Sequence, residues 1–170
     1  GDIIMALGDN TTSVARGNMA RGRQPYMVQH EINFATAVTD KGTALAAGDV
    51  IPGLTIPAKS AILHAGLEVT EAHAGTSTDC TLDLGITGGN LDNFVDGFDF
   101  DAASVGDFSN PAADNFAPVV VGGTSDTLDI EIQTQTGTTT GGKVRVYAVL
   151  MDISDTGSMT ADEVDRDTLA

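Results

Sequence analysis

Leu128-Asp129-Ile130-Glu131-Ile132-Gln133, then Thr136-Gly137-Thr138-Thr139-Thr140-Gly141-Gly142, then Val144-Arg145-Val146-Tyr147-Ala148-Val149-Leu150-Met151: this stretch decides the fold class. Its alternation places Leu128, Ile130 and Ile132 on one side of an extended chain and Asp129, Glu131 and Gln133 on the other. The Gly/Thr run has the composition of a hairpin connection. Val144, Val146, Ala148 and Leu150 return on one face. Tyr147, Val149 and Met151 occupy the other, so this strand is apolar on both sides. Such a strand takes either a central sheet position or an interface.

The same period recurs upstream. After Pro25, Tyr26, Val28, His30, Ile32 and Phe34 alternate with Met27, Gln29, Glu31 and Asn33 and predict a half-buried strand, with His30 as a hydrogen-bonded core histidine. Residues 46–59 hold Pro52 and Pro57, each lacking a backbone donor, and so predict an edge strand or an ordered crossover. A long hairpin is expected next. Ala61, Leu63, Ala65, Leu67 and Val69 line one face of its first strand, with a turn near residues 73–78. Cys80, Leu82, Leu84 and Ile86 point inward on its second strand, with Thr81, Asp83 and Thr87 outward. Val119-Val120-Val121 begins another strand. Many short strands with Gly/Pro turns and no long helix predict an all-β chain, an antiparallel β-sandwich or barrel. The expected organisation is an extended N-terminal arm (1–24), a β-sandwich body (25–153) and an acidic C-terminal tail (154–170), which is either solvated or starts a short helix at Ser158–Val164.

The chain has 170 residues, enough for one domain with a core, and a net charge of −16. Arg16, Arg21 and Arg23 against Asp2 and Asp9 make residues 1–24 net +1; the rest has 5 basic and 22 acidic residues, net −17. Acidity on this scale argues against nucleic acid and anionic membranes as partners. No run approaches ~18 apolar residues, so no transmembrane helix is expected. The first residues lack the cationic region of a secretory signal. The basic arm is either a flexible terminus or a segment that docks on an acidic partner surface, including a neighbouring copy.

Five of the six phenylalanines fall in one acidic stretch: Phe94, Phe98, Phe100, Phe108 and Phe116 among Asp92, Asp96, Asp99, Asp101, Asp107 and Asp114. A loop of this kind pins its rings against the body or a partner and turns its carboxylates to solvent. The residues expected to touch a partner are Arg16, Arg21, Arg23, Tyr26, Phe94, Phe98 and Phe100.

Nothing in the chain assembles a catalytic set. There is no Gly-x-Ser-x-Gly elbow and no Trp to stack a sugar beside the carboxylates. Cys80 is the only cysteine, and its alternating apolar run predicts a buried structural thiol. His64 and His73 lack zinc-ligand spacing. Asp96-Gly97-Phe98-Asp99-Phe100-Asp101 offers hard oxygen ligands but departs from the EF-hand pattern, so a solvated acidic rim is expected rather than a calcium loop. No metal, cofactor or enzymatic activity is expected.

Gly48-Asp49-Val50-Ile51-Pro52, Ile56-Pro57-Ala58-Lys59-Ser60, Thr81-Leu82-Asp83-Leu84-Gly85 and Asp92-Asn93-Phe94-Val95-Asp96-Gly97 carry a further signal. Over roughly residues 45–150 the chain resembles structural proteins of tailed bacteriophage virions, particularly those of marine phages. The resemblance implies a jelly-roll-like capsid decoration (cement) protein without catalytic residues. It would bind the major capsid protein on the outer capsid surface, bridge capsid subunits, and occupy threefold sites as a homotrimer. The alternative is a receptor- or glycan-binding β module of a phage tail or fibre.

Overall fold

The structure is a computed structural model that describes residues 24–87, 89–112 and 118–153. The arm, apart from Gln24, and the acidic tail lie outside the described residues. Among the described residues, eight strands and one helix follow in order: β1 (Tyr26–Asn33), α1 (Phe34–Lys41), β2 (Val50–Ile56), β3 (Ser60–Gly75), β4 (Asp79–Ile86), β5 (Val95–Asp99), β6 (Val119–Val121), β7 (Asp126–Thr136) and β8 (Thr139–Asp152).

The alternation reads the faces of β7 and β8 correctly. Leu128, Ile130, Ile132, Val144, Val146, Ala148 and Leu150 are all fully buried. Each buried Leu, Ile or Val contributes about 1.5–3 kcal/mol, so these two strands anchor the core. Their pairing differs from the expected hairpin. β7 pairs with β2 and β4 in one sheet, whereas β8 pairs with β1 and β3 in the other. The expected hairpin of β3 and β4 is likewise a crossing between sheets. The two connections lie side by side: the Thr138 carbonyl accepts from the amides of Thr76 (2.9 Å) and Ser77 (3.1 Å). Each satisfies the other's backbone, so neither chain has to turn back on itself.

The two four-stranded sheets run β1-β8-β3-β6 (sheet A) and β2-β7-β4-β5 (sheet B). All pairs are antiparallel, and β1·β8, β2·β7, β3·β6 and β4·β5 form one long ribbon. Rolling that ribbon brings β3 beside β8 and β4 beside β7. An eight-stranded ribbon wound in this way is a jelly roll; it is the antiparallel sandwich expected from the strand pattern, in the form that the resemblance implies.

Three local readings change. Phe34 starts α1 rather than extending β1. Asn33 caps the helix by accepting from the amides of Ala35 and Thr36, and Gly42 closes it at φ 75°. His30 is exposed, not in the core. A bulge between Ile62 and His64 shifts the inward register of β3, so Ile62 is fully buried and Leu63 only half-buried. The proline-bearing segment is an edge strand, as expected, with Pro52 beside a bulge in β2.

Candidate functional site

The phenylalanine–aspartate segment packs inward. Phe94 and Phe100 flank β5 and are fully buried. Their amides bond the carbonyls of Leu84 (2.9 Å) and Cys80 (2.8 Å). The Phe100 ring lies 4.9 Å from that of Phe34 and meets His73 edge-on at 5.3 Å. These two rings pin the loop to the body. Named above as partner contacts, Phe94 and Phe100 present no surface to a partner in this fold, because both are fully buried in the core. Phe98 is partly buried against the core, and Phe108 is 58% exposed. Phe116 lies outside the described residues.

The carboxylates of this segment also serve the backbone. Asp101 accepts from the Cys80 amide, Asp99 from Ala102 (3.2 Å) and Asp107 from Ser104 (2.8 Å). Asp96 accepts from Gln133 (3.0 Å). Asp96, Asp99 and Asp107 rim a groove of about 460 Å³ floored in part by Phe98 and Pro111. Among the described residues, no group of three or more His, Cys, Asp or Glu side chains is placed to hold a metal ion.

Two carboxylates missed by sequence reasoning are buried on the outer face of sheet B. Asp83 is 4% exposed and Asp129 is 1% exposed. Asp83 stands opposite Glu131, and Gly85 opposite Asp129. The Asn90–Leu91 backbone crosses directly over Gly85, where any side chain would overlap it. Asp83 accepts from the Gly97 amide at 2.7 Å. Burial pushes its carboxyl up to about 6; the Gly97 hydrogen bond opposes this, and the charges of Asp96, Asp92 and Glu131 add to it. Burial also raises Asp129, against the hydrogen bond from Thr127. The readable signal was Gly85, a glycine inside a strand.

Cys80 is buried, its thiol pushed up by burial and bonded by the Thr139 hydroxyl at 3.5 Å. It has the environment of a structural thiol.

The outer face of sheet A differs in character. β8 is central, between β1 and β3, and its outward Tyr147, Val149 and Met151 are half-buried. The Tyr147 ring lies over Gly66, 5.8 Å from His64 and 6.0 Å from Phe108. Met27 (60% exposed) pairs with Val149 along this face. Beyond Tyr147 the row turns ionic, with Arg145–Glu68 (2.5 Å) and Lys143–Glu71 (2.9 Å). The strands of sheet A carry these two cations against four carboxylates. Those of sheet B carry seven carboxylates and no Lys or Arg.

The open side of the sandwich, between β1 and β2, holds a groove of about 570 Å³ with α1 along it. Ile32, Leu45 and Ile51 supply apolar lining; Glu31, Asp40 and Asp49 supply charge. Lys41 pairs with Asp49 at 2.5 Å, and this hydrogen bond holds the Asp49 carboxyl below its ordinary value. Tyr26 opens β1 at 42% exposure. Arg16, Arg21 and Arg23 lie outside the described residues.

Fold and surface together define a jelly-roll body with a strongly acidic sheet, a mixed aromatic and ionic sheet, and a groove at one open edge. It is similar to a chain of the capsid asymmetric unit of cyanophage Pam1, with TM-score 0.56 and 16% identity over 77% of this chain and 86% of that one. It is equally similar to a chain of the capsid of Ralstonia phage GP4, with TM-score 0.56 and 16% identity over 78% and 86%. A chain from the acid-stable capsid of Helicobacter pylori bacteriophage KHP30 aligns with TM-score 0.49 and 14% identity over 76% and 89%. No protein-family model and no curated protein sequence matches the chain.

Proposed function

We propose that this chain is a non-enzymatic structural protein of a phage virion that binds the outside of the capsid and stabilises the shell by bridging capsid subunits. One observation carries the reading: the fold of this chain is similar to that of chains of two phage capsids over more than three quarters of its length. The partner is the major capsid protein, and the working form is a homotrimer. Contact runs through the sheet A side, where Met27, Phe108 and Tyr147 offer apolar area and the ion pairs leave little uncompensated charge. Sheet B, whose strands carry carboxylates and no Lys or Arg, faces solvent and keeps particles apart. The cationic arm, through Arg16, Arg21 and Arg23, and Tyr26 at its root add reach and charge-assisted pairing.

The test is occupancy. The full chain is added to shells that lack it, and density is read on the outer surface. Binding of the full chain and loss of density on deletion of residues 1–24 are expected. Unchanged occupancy after the deletion would remove the arm from the bridge, and no density outside the shell would overturn the reading.

A further inference from the structure

A rolled ribbon leaves four strand edges, and three of them are blunted. β6 has only three residues, β5 has five and a register shift against β4, and β2 carries Pro52 beside a bulge. β1 is different. Its eight residues pair with β8 in unbroken register, and it lies at the end of sheet A with its other edge unpaired by any described strand. A long regular edge of this kind is a template for another strand.

The groove beside that edge has a definite chemistry. Ile32 and Leu45 are nearly fully buried in it, at 6% and 4% exposed. Glu31, Asp40 and Asp49 stand around it with Lys41 as the one lining Lys or Arg; Asp49 is taken up by Lys41, Glu31 accepts from the Thr70 hydroxyl at 2.9 Å and its charge is felt by Lys143. The complementary segment is extended, part apolar and cationic.

The chain contains such a segment. Residues 1–24 are net +1 in a chain of net charge −16, with Ile3-Ile4-Met5-Ala6-Leu7 followed by Arg16, Arg21 and Arg23. Arg21 and Arg23 fall on the same side of an added strand, roughly 7 Å apart. Fully extended, the arm spans at most roughly 80 Å, well beyond the ~46 Å of a fourteen-residue strand such as β8. To lie along its own β1, the arm must reverse between Gly22 and Pro25. That leaves Arg21 and Arg23 near Tyr26, at the end of β1 away from Glu31, and brings only Arg16 level with Glu31. A second copy imposes no such reversal.

We infer that the groove between β1 and β2 receives the arm of a second copy, laid as an added strand on the free edge of β1 with its arginines against Glu31 and Asp40. The inference rests on the reading of residues 1–24 as a docking arm and names what that arm engages. Neighbouring copies would then be tied to one another as well as to the shell.

The experiment uses the full chain free in solution. A photo-crosslinking amino acid replaces Asn18, and equal amounts of ordinary and nitrogen-15-labelled chains are mixed. Crosslinked peptides are then mapped by mass. Crosslinks joining the arm of one isotope to residues 26–41 or 49–52 of the other are expected. Glu31→Lys with Asp40→Lys should reduce them at least about tenfold, since two attractive contacts become repulsive, with circular dichroism confirming an unchanged fold. Crosslinks confined to single-isotope species would show each arm on its own body and overturn the inference. So would mapping to another surface, absence of interchain crosslinks, or insensitivity to the charge reversal. Shell occupancy is read separately. Loss of occupancy on arm deletion without interchain crosslinks would sink the groove and leave the capsid reading standing; interchain crosslinks with no density of the full chain outside the shell would sink the capsid reading alone.

Discussion

Replacing Asp83 by Asn should stabilise the protein at high pH and hardly at all at low pH. Asp83 is 4% exposed, and its one described hydrogen bond comes from the Gly97 amide at 2.7 Å. The Asn side-chain oxygen can accept that bond equally well. What changes is the charge. The carboxyl has its ordinary value of 3.8 in the unfolded chain and is pushed up to about 6 in the fold, by burial first and by the neighbouring carboxylates after it. A raised acid favours the folded state while protonated. Its contribution is therefore fully present below about pH 3.8 and is lost as the pH rises through about 6. The accumulated loss in wild type is about 0.6 kcal/mol at about pH 4 and about 3 kcal/mol at about pH 8. Asp83→Asn removes it. For a domain of this size the expected gain in Tm is roughly 6–12 °C at about pH 8 and roughly 1–2 °C at about pH 4. Thermal melts of both proteins across this range give the difference directly, and the contributions of Asp129 and Asp49 cancel in it. A Tm difference that stays flat with pH, or a variant less stable than wild type at about pH 8, would show that Asp83 carries no such burden.

The two classes of phenylalanine should separate in urea. Phe100→Ala should cost about 3–5 kcal/mol, because it empties a packed site against Phe34 and His73. Phe108→Ala, at a ring 58% exposed, should cost less than about 1 kcal/mol; equal losses would contradict the inward packing. Cys80 should resist an aromatic disulfide reagent in the native protein and react fully in denaturant, since its thiol is enclosed. Fast native labelling would mean that β4 opens readily.

Side-chain period reveals which face of a strand is buried, and here it did so for β7, β8, β4 and most of β3. It carries no information about the neighbouring strand. The β3–β4 and β7–β8 connections are as short as hairpin loops, and what makes them inter-sheet crossings is the bonding of Thr76 and Ser77 to Thr138, across sixty residues of chain. Helix α1 was hidden because Phe34 continues the alternation of β1. The cue was the pair of caps, Asn33 and Gly42, spaced for a helix of two turns. The inward turn of Phe94 and Phe100 depends on irregular backbone on either side of β5, which no periodicity encodes. Burial of Asp83 and Asp129 depends on a distant segment folding over Gly85, and only that glycine hints at it.

The uneven charge of the two sheets gives the proposed assembly a direction. Two acidic bodies brought together repel, and the repulsion is greatest where carboxylates lack cations. The strands of sheet B carry seven carboxylates and no Lys or Arg, whereas on sheet A Arg145 and Lys143 already neutralise Glu68 and Glu71. A contact through sheet A and the β1 edge therefore buries little net charge, and the arm's arginines meet the residual charge of Glu31 and Asp40. A contact through sheet B would bring Asp79, Asp96, Asp99 and Glu131 against a second acidic surface with no Lys or Arg on its strands to offset them. The same sequence that makes sheet B costly to cover makes it suitable to face water.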